Sequence, residues 1–206
     1  MEKLLKRYPE LTSVSEDIEK TVTLLADMYR SGGKLLCCGN GGSASDSEHI
    51  VGELMKCFKI KRPIKKELAS ALAEYGKEGL ELAQTLESPL TAVSLCGHSA
   101  LSTAYGNDRN AYMVFAQQVH GFGQAGDTLL ALTTSGNSQN CIYAAMVAKA
   151  KGMKVIGITG AKGGRLSELA DVCIKVPETE TYLVQELTLP VYHYICARLE
   201  EIFFAE

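Results

Sequence analysis

Five short apolar runs, separated by stretches of helical pattern, constrain this chain more than any other feature of it. The runs are residues 34–38, 92–96, 127–133, 154–159 and 172–176. Runs of this length, bounded by Gly, Asp or Pro, suit strands buried on both faces of a parallel sheet. Helical patterns fill the gaps near 45–58, 110–121, 139–151 and 163–169, and a last one covers 181–204. An amphipathic helix at 14–30 precedes them, with Leu24, Leu25 and Met28 on its inner side and Ser31-Gly32-Gly33 as its stop. The alternation predicts an α/β fold, a doubly wound five-stranded parallel sheet flanked by helices.

A length of 206 residues suits one domain spanning 1–206. Two segments stand outside the alternation. One is an N-terminal helical segment, residues 1–31; the other is residues 64–87, IKKELASALAEYGKEGLELAQTLE. The second predicts a helical insert between the first two strands, broken at Gly76-Lys77-Glu78-Gly79. A proline inside the last helix, Pro190, removes one backbone donor and predicts a kink there.

Composition narrows the function classes. A formal charge of −3 offers no basic field for nucleic acid. No apolar run approaches the ~20 residues of a membrane span, and MEKLLKRYPEL lacks a signal-peptide core. Seven cysteines without a CxxC, most of them in apolar runs, predict reduced, buried thiols in a cytoplasmic protein. Cys37 and Cys38 are expected on opposite faces of their strand. Lys59, Lys61, Arg62, Lys65 and Lys66 form the one basic cluster. It reads as a solvated helix end, with steering of an anionic substrate as the alternative.

Two loops at expected strand ends carry the chemistry. Gly39-Asn40-Gly41-Gly42-Ser43 follows the first strand, and Thr133-Thr134-Ser135-Gly136-Asn137-Ser138 follows the third. Each leads into a helix, so backbone N–H groups and the helix dipole face the strand ends, where ligands of parallel sheets gather. Hydroxyls on Thr133, Thr134, Ser135 and Ser138 suit phosphate oxygens. No Gly-Lys-Ser/Thr follows either loop, which argues against a nucleoside triphosphate. A phosphorylated small molecule is the expected ligand.

His49 and Glu53 lie four apart, on one helical face just beyond the glycine loop, where such a pair can hold a metal or share a proton. Gln185 and His193 sit on the last helix, roughly 12 Å apart along its axis if straight. One ion reaches both only through a bend or through ligands shared between subunits. Asn107 and Asp108 form a third polar cluster, read either as a cap or as a sugar-hydroxyl contact.

Taken together, CGNGGSASDSEH, GND, TTSGNS, the GITG strand end and the VQEL…H helix resemble the sugar isomerase (SIS) domain family, and within it the bacterial phosphoheptose isomerase branch. The likeness spans nearly the whole chain except residues 64–87. It implies a homotetramer with active sites at subunit interfaces and one zinc ion per subunit. It assigns substrate binding to Asn40, Gly41, Gly42 and Ser43, to Asn107 and Asp108, and to the phosphate loop Thr133, Thr134, Ser135 and Ser138. His49, Glu53, Gln185 and His193 match the metal-ligand positions, and Glu53 and His193 also match the catalytic pair. His49, Glu53 and Gln185 would line the substrate too. The chain departs from the family pattern at Ala44, where such isomerases often carry histidine, at Cys57, at Pro190 and in the insert.

The implied reaction converts sedoheptulose 7-phosphate to D-glycero-D-manno-heptose 7-phosphate through an enediol. Two alternatives stand at this point. One is a non-catalytic SIS module binding sugar phosphates or a replication initiator; the other is an isomerase of a different sugar phosphate. Glu53 and His193 favour an enzyme, since the initiator-binding relatives are expected to lack both.

Overall fold

The computed structural model describes residues 1–205. The five apolar runs become β1 (Leu35–Cys38), β2 (Ala92–Ser94), β3 (Thr128–Leu132), β4 (Lys154–Gly160) and β5 (Val172–Val176). They form one sheet in the order β2-β1-β3-β4-β5, every pairing parallel. Before the sheet come α1 (Glu2–Arg7) and α2 (Ser15–Arg30). Between the strands lie α3 (Gly42–Met55), α4 (Lys66–Ala73), α5 (Gly76–Thr85), α6 (Ser99–Tyr105), α7 (Val114–Phe122), α8 (Gln139–Ala150) and α9 (Leu166–Leu169), and α10 (Thr181–Phe204) closes the fold.

The strand periodicity of two divides the core in two. Leu35, Cys37, Leu130 and Leu132 face one layer, where Leu25 of α2, Ile50 and Leu54 of α3, and Val184 and Val191 of α10 pack. Leu36, Cys38, Leu129 and Ala131 face the other, against Phe115 and Val119 of α7, Ala145 of α8 and Leu166 of α9. Cys37 and Cys38 thus do point to opposite faces. All seven cysteines are free thiols, with Cys37, Cys38, Cys141 and Cys196 buried.

Several boundaries differ from expectation, each for a local reason. α3 starts at Gly42, not residue 45, because Gly41 (φ 56) turns the chain and serves as its N-cap. It ends at Met55 because Lys56 is extended and the N–H groups that follow bond elsewhere. The helix expected from residue 110 begins only at Val114. A π-helical turn, Gly106–Asn110, precedes it, and the Asn110 side chain accepts the Tyr112 N–H. α9 is shorter than expected because the backbone before it reaches back to the second loop: Leu166 N–H bonds the Gly136 carbonyl and Arg165 N–H bonds Asn137 Oδ1.

Residues 64–87 form the α4–α5 pair, with the break at Glu74 and Tyr75 rather than at Gly76–Gly79, which lies inside α5. α10 runs unbroken through Pro190. The basic cluster is not one solvated patch. Lys59, Lys61, Lys65 and Lys66 are exposed, but Arg62 is 1% exposed and paired with Glu200. No helix among the described residues is long and apolar enough to cross a membrane.

Candidate active site

In this order the winding of the sheet reverses between β1 and β3, and ligands of doubly wound sheets bind at that crevice. Both candidate loops open there. A reciprocal amide pair joins them across it: Asn40 Nδ2 donates to Asn140 Oδ1 (2.9 Å), and Asn140 Nδ2 donates to Asn40 Oδ1 (2.8 Å). In the second loop, the hydroxyls of Thr133 and Ser138 bond each other at 2.8 Å, and Ser135 Oγ accepts the Asn137 N–H. Ser138 stands at the N-cap position of α8, whose first N–H groups therefore face the crevice.

The glycines of the first loop have distinct jobs. Gly41 takes the left-handed backbone that turns β1 into α3. Gly42 leaves room for Gln185, because a Cβ there would stand 2.6 Å from Gln185 Nε2. α10 therefore lays its side chains directly onto the start of α3.

One to three turns along α3 the titratable groups meet. His49 Nε2 lies 3.1 Å from Glu53 Oε1, and Glu53's side chain is only 13% exposed. Lys56 Nζ approaches the other carboxylate oxygen at 3.5 Å. The His193 ring stands edge-on to His49, with centroids 5.0 Å apart, and Phe58 packs on it at 5.5 Å. Burial first, then the neighbouring His49, pull the His193 imidazole below its usual range, with Glu53 opposing. His193 Nε2 is buried without a hydrogen-bond partner.

On the far side of His49, Nδ1 lies 2.9 Å from the Tyr192 hydroxyl, which also donates to Asp46 Oδ1 at 3.3 Å. Burial raises the Asp46 carboxyl, with Tyr192 and His49 working against the shift. Burial, followed by Asp46, holds the Tyr192 phenol well above its ordinary value. His193 also borders a cleft of about 710 Å³ between α1 and α10, with Leu4, Arg7, Tyr194 and Arg198 among its walls. That cleft lies beside the titratable cluster rather than over the two loops.

A family model described as SIS domain matches residues 2–160. The chain belongs to the SIS domain family. Similar proteins include the phosphoheptose isomerase of Akkermansia muciniphila, 34% identical over 193 residues, 94% of this chain and 89% of that protein. The phosphoheptose isomerase of Rhodospirillum rubrum is 38% identical over 184 residues, 89% and 85% of the two chains. Among solved structures, a phosphoheptose isomerase from Neisseria gonorrhoeae superposes with a TM-score of 0.76 at 29% identity, covering 97% of this chain and 94% of that one. One from Francisella tularensis gives 0.78 at 28% identity, with 95% and 91% covered.

Within this SIS domain, the residues expected from sequence fall into two groups. Asn40, Gly41, Gly42, Ser43, His49, Glu53, Gln185 and His193 gather along α3 and α10, while Thr133, Thr134, Ser135 and Ser138 form the facing loop. Ser43 is buried in the first turn of α3 rather than displayed in the loop. Asn107 and Asp108 bond each other at 3.0 Å on the π-helical turn. Among the described residues, neither side chain bonds to the other site residues.

The donor types of His49, Glu53, Gln185 and His193 suit zinc, and the unpartnered Nε2 of His193 is the kind of atom a metal would satisfy. The donors share two packed helices without closing around a point. No group of three His, Cys, Asp or Glu placed to hold a metal occurs among the described residues. Sequence reasoning passed over Asp46, Tyr192 and Asn140. Asp46 alone left a signal, three residues before His49 and hence on its face of the helix.

Proposed function

We propose that this protein is a sugar-phosphate aldose–ketose isomerase converting sedoheptulose 7-phosphate to D-glycero-D-manno-heptose 7-phosphate. The observation that carries the reading is the meeting of His49, Glu53 and His193 beside the switch-point loops. It occurs in a chain 34–38% identical, over most of its length, to phosphoheptose isomerases.

Such a reaction removes a proton from C1 of the ketose, passes through an enediol, and returns a proton to C2 while a hydroxyl proton moves from one oxygen to the other. It needs a base at carbon and a proton carrier at the oxygens. Glu53 is the base in this reading, since its carboxylate is largely buried and stands one helical turn from His49, 3.1 Å from its Nε2. His193 is the carrier: the neutral ring, favoured by burial, can accept a proton from one oxygen and give it to the next. Asn40, Asn107 and Asp108 would bind sugar hydroxyls. Thr133, Thr134, Ser135 and Ser138, with the N-terminus of α8, would hold the phosphate.

Zinc belongs to the proposal: His49, Glu53, Gln185 and His193 would hold it, and bound there it would polarise the carbonyl under isomerisation. A homotetramer in the cytoplasm completes the reading. Exposed apolar side chains at Leu101, Tyr112, Met113 and Phe122 support self-association, and seven free thiols support a reducing compartment.

The test is to incubate zinc-loaded protein with sedoheptulose 7-phosphate and follow the product by NMR, with Glu53→Gln alongside. Wild type should form the aldose heptose phosphate, and the folded variant should turn over about tenfold more slowly or worse. Near-normal turnover by the variant removes Glu53 from the chemistry. Binding without turnover in wild type moves the substrate to another sugar phosphate.

A further inference from the structure

We propose that the buried ion pair Arg62–Glu200 is a positioning device for the catalytic pair, holding Glu53 on α3 and His193 on α10 at a fixed separation. Both side chains are 0% exposed, and Arg62 Nε donates to Glu200 Oε1 at 2.8 Å. The inference rests on the roles given above to Glu53 and His193.

Each partner spends its remaining hydrogen bonds on backbone next to one of those two residues. Arg62 Nη1 donates to the Leu54 carbonyl (2.7 Å) and Nη2 to the Glu53 carbonyl (3.1 Å). These belong to the last turn of α3, where carbonyls have no partner within the helix. The guanidinium thus caps the helix at the very residue whose carboxylate enters the site. Its face lies over the Phe204 ring at 4.9 Å, which fixes its plane.

Glu200 sits seven residues beyond His193, two turns along α10 and on the same side. Its carboxylate accepts the N–H groups of Phe58 (2.7 Å), Lys59 (2.7 Å) and Ile60 (3.1 Å). These bonds hold the turn that presses the Phe58 ring against His193. The route from the ion pair is therefore short at both ends: one carbonyl to Glu53, and one backbone bond plus one ring contact to His193.

Stability alone is a weak reason for such a pair. Burying two charges forfeits their hydration, and apolar residues of the same volume often serve a core as well. What an apolar pair would lack is direction. Arg62 and Glu200 together bind two carbonyls in the last turn of α3 and three N–H groups in the turn that follows it. Misplacing a reacting group by about 1 Å costs on the order of 100-fold in rate, so a rigid strut between base and proton carrier has a kinetic use.

The experiment compares full-length, zinc-loaded wild type with Phe58→Leu, Glu200→Gln and Glu53→Gln. It measures kcat and KM separately, together with the His193 imidazole resonances by NMR. Removing one partner of a buried pair is costly, so Phe58→Leu, which leaves the pair intact and alters a half-buried ring, is the deciding variant if Glu200→Gln does not fold. The expected result is a fall in kcat of about tenfold or more with KM changed by less than about threefold, and shifted His193 resonances, in folded protein. A folded Phe58→Leu with wild-type kcat and unmoved His193 resonances overturns the proposal. So does a variant whose apparent kcat falls only in step with lost folded protein. If Glu53→Gln itself keeps full activity, the catalytic reading fails first, and that outcome is distinct from failure of the strut.

Discussion

The Tyr192 hydroxyl stands 2.9 Å from Nδ1 of His49, and the other ring nitrogen of the same histidine faces Glu53 at 3.1 Å. Tyr192 is 2% exposed, so its hydroxyl side of that bond is shielded from bulk water. The hydroxyl donates to Asp46 and its oxygen can accept Nδ1–H, which pins the ring at that nitrogen while Nε2 faces Glu53. Tyr192 thereby orients a ring that sequence assigns only to ligand binding. Tyr192→Phe keeps the ring and its edge contacts while deleting the hydroxyl. The expected outcome is a loss of about tenfold in kcat/KM, typical of removing a partner behind a ligand histidine. Steady-state kinetics beside a thermal melt checks it, and an unchanged kcat/KM would leave the Asp46–Tyr192–His49 chain without a role in turnover.

Gly42→Ala tests the contact between α10 and the glycine loop. The added methyl would sit 2.6 Å from Gln185 Nε2, so the amide must move away, although alanine itself suits a helix start. Activity should fall by about tenfold while the melting temperature stays near wild type, because only a half-buried polar contact is disturbed. In a Gln185→Ala background the same change should cost almost nothing further, since the clash is gone. Additive losses in the double variant would show that Gly42 acts by another route.

The sheet was legible because buried parallel strands announce themselves locally, as short apolar runs between Gly and Asp. His49 and Glu53 were legible for the same reason, being one helical turn apart. What stayed hidden depends on partners far along the chain. Arg62 reads as one cation in a solvated run, and only Glu200, 138 positions away, makes it a core residue. Tyr192 reads as apolar filling until α10 packs on α3 and brings it to a histidine 143 positions away. The helix starts moved for a related reason, because Gly41 and Asn110 set them through backbone turn and side-chain capping rather than through apolar period.

Metal content gives a prediction independent of turnover. Protein purified with zinc present should carry close to one zinc per subunit by elemental analysis, and His49→Ala should lose most of it. Chelation should lower turnover by about tenfold or more, with zinc restoring it. A wild-type protein that binds no zinc yet isomerises the sugar at full rate would strip the metal from the mechanism and leave Glu53 and His193 to act alone.

Acid stability provides the last prediction, and its sign follows from Glu200. Burial pushes that carboxyl upward, but the N–H groups of Phe58 and Lys59 and the Arg62 guanidinium outweigh it and hold the group below its usual value. A carboxylate depressed in the folded state contributes stability above its unfolded pKa, near 4.3, and loses it as pH falls through the lower folded value. The urea midpoint of the wild type should therefore drop as pH is lowered below about 4. In Glu200→Gln, stability at pH 7 should be lower by about 3–5 kcal/mol, the usual consequence of orphaning a buried partner. Its midpoint should also decline less steeply in acid. Some slope will persist, because Asp171 is depressed as well: burial raises it, but the Val155 N–H and the ammonium groups of Lys149 and Lys154 outweigh that. Equal acid slopes in the two proteins would mean that Glu200 is not the group whose protonation loosens the joint between α3 and α10.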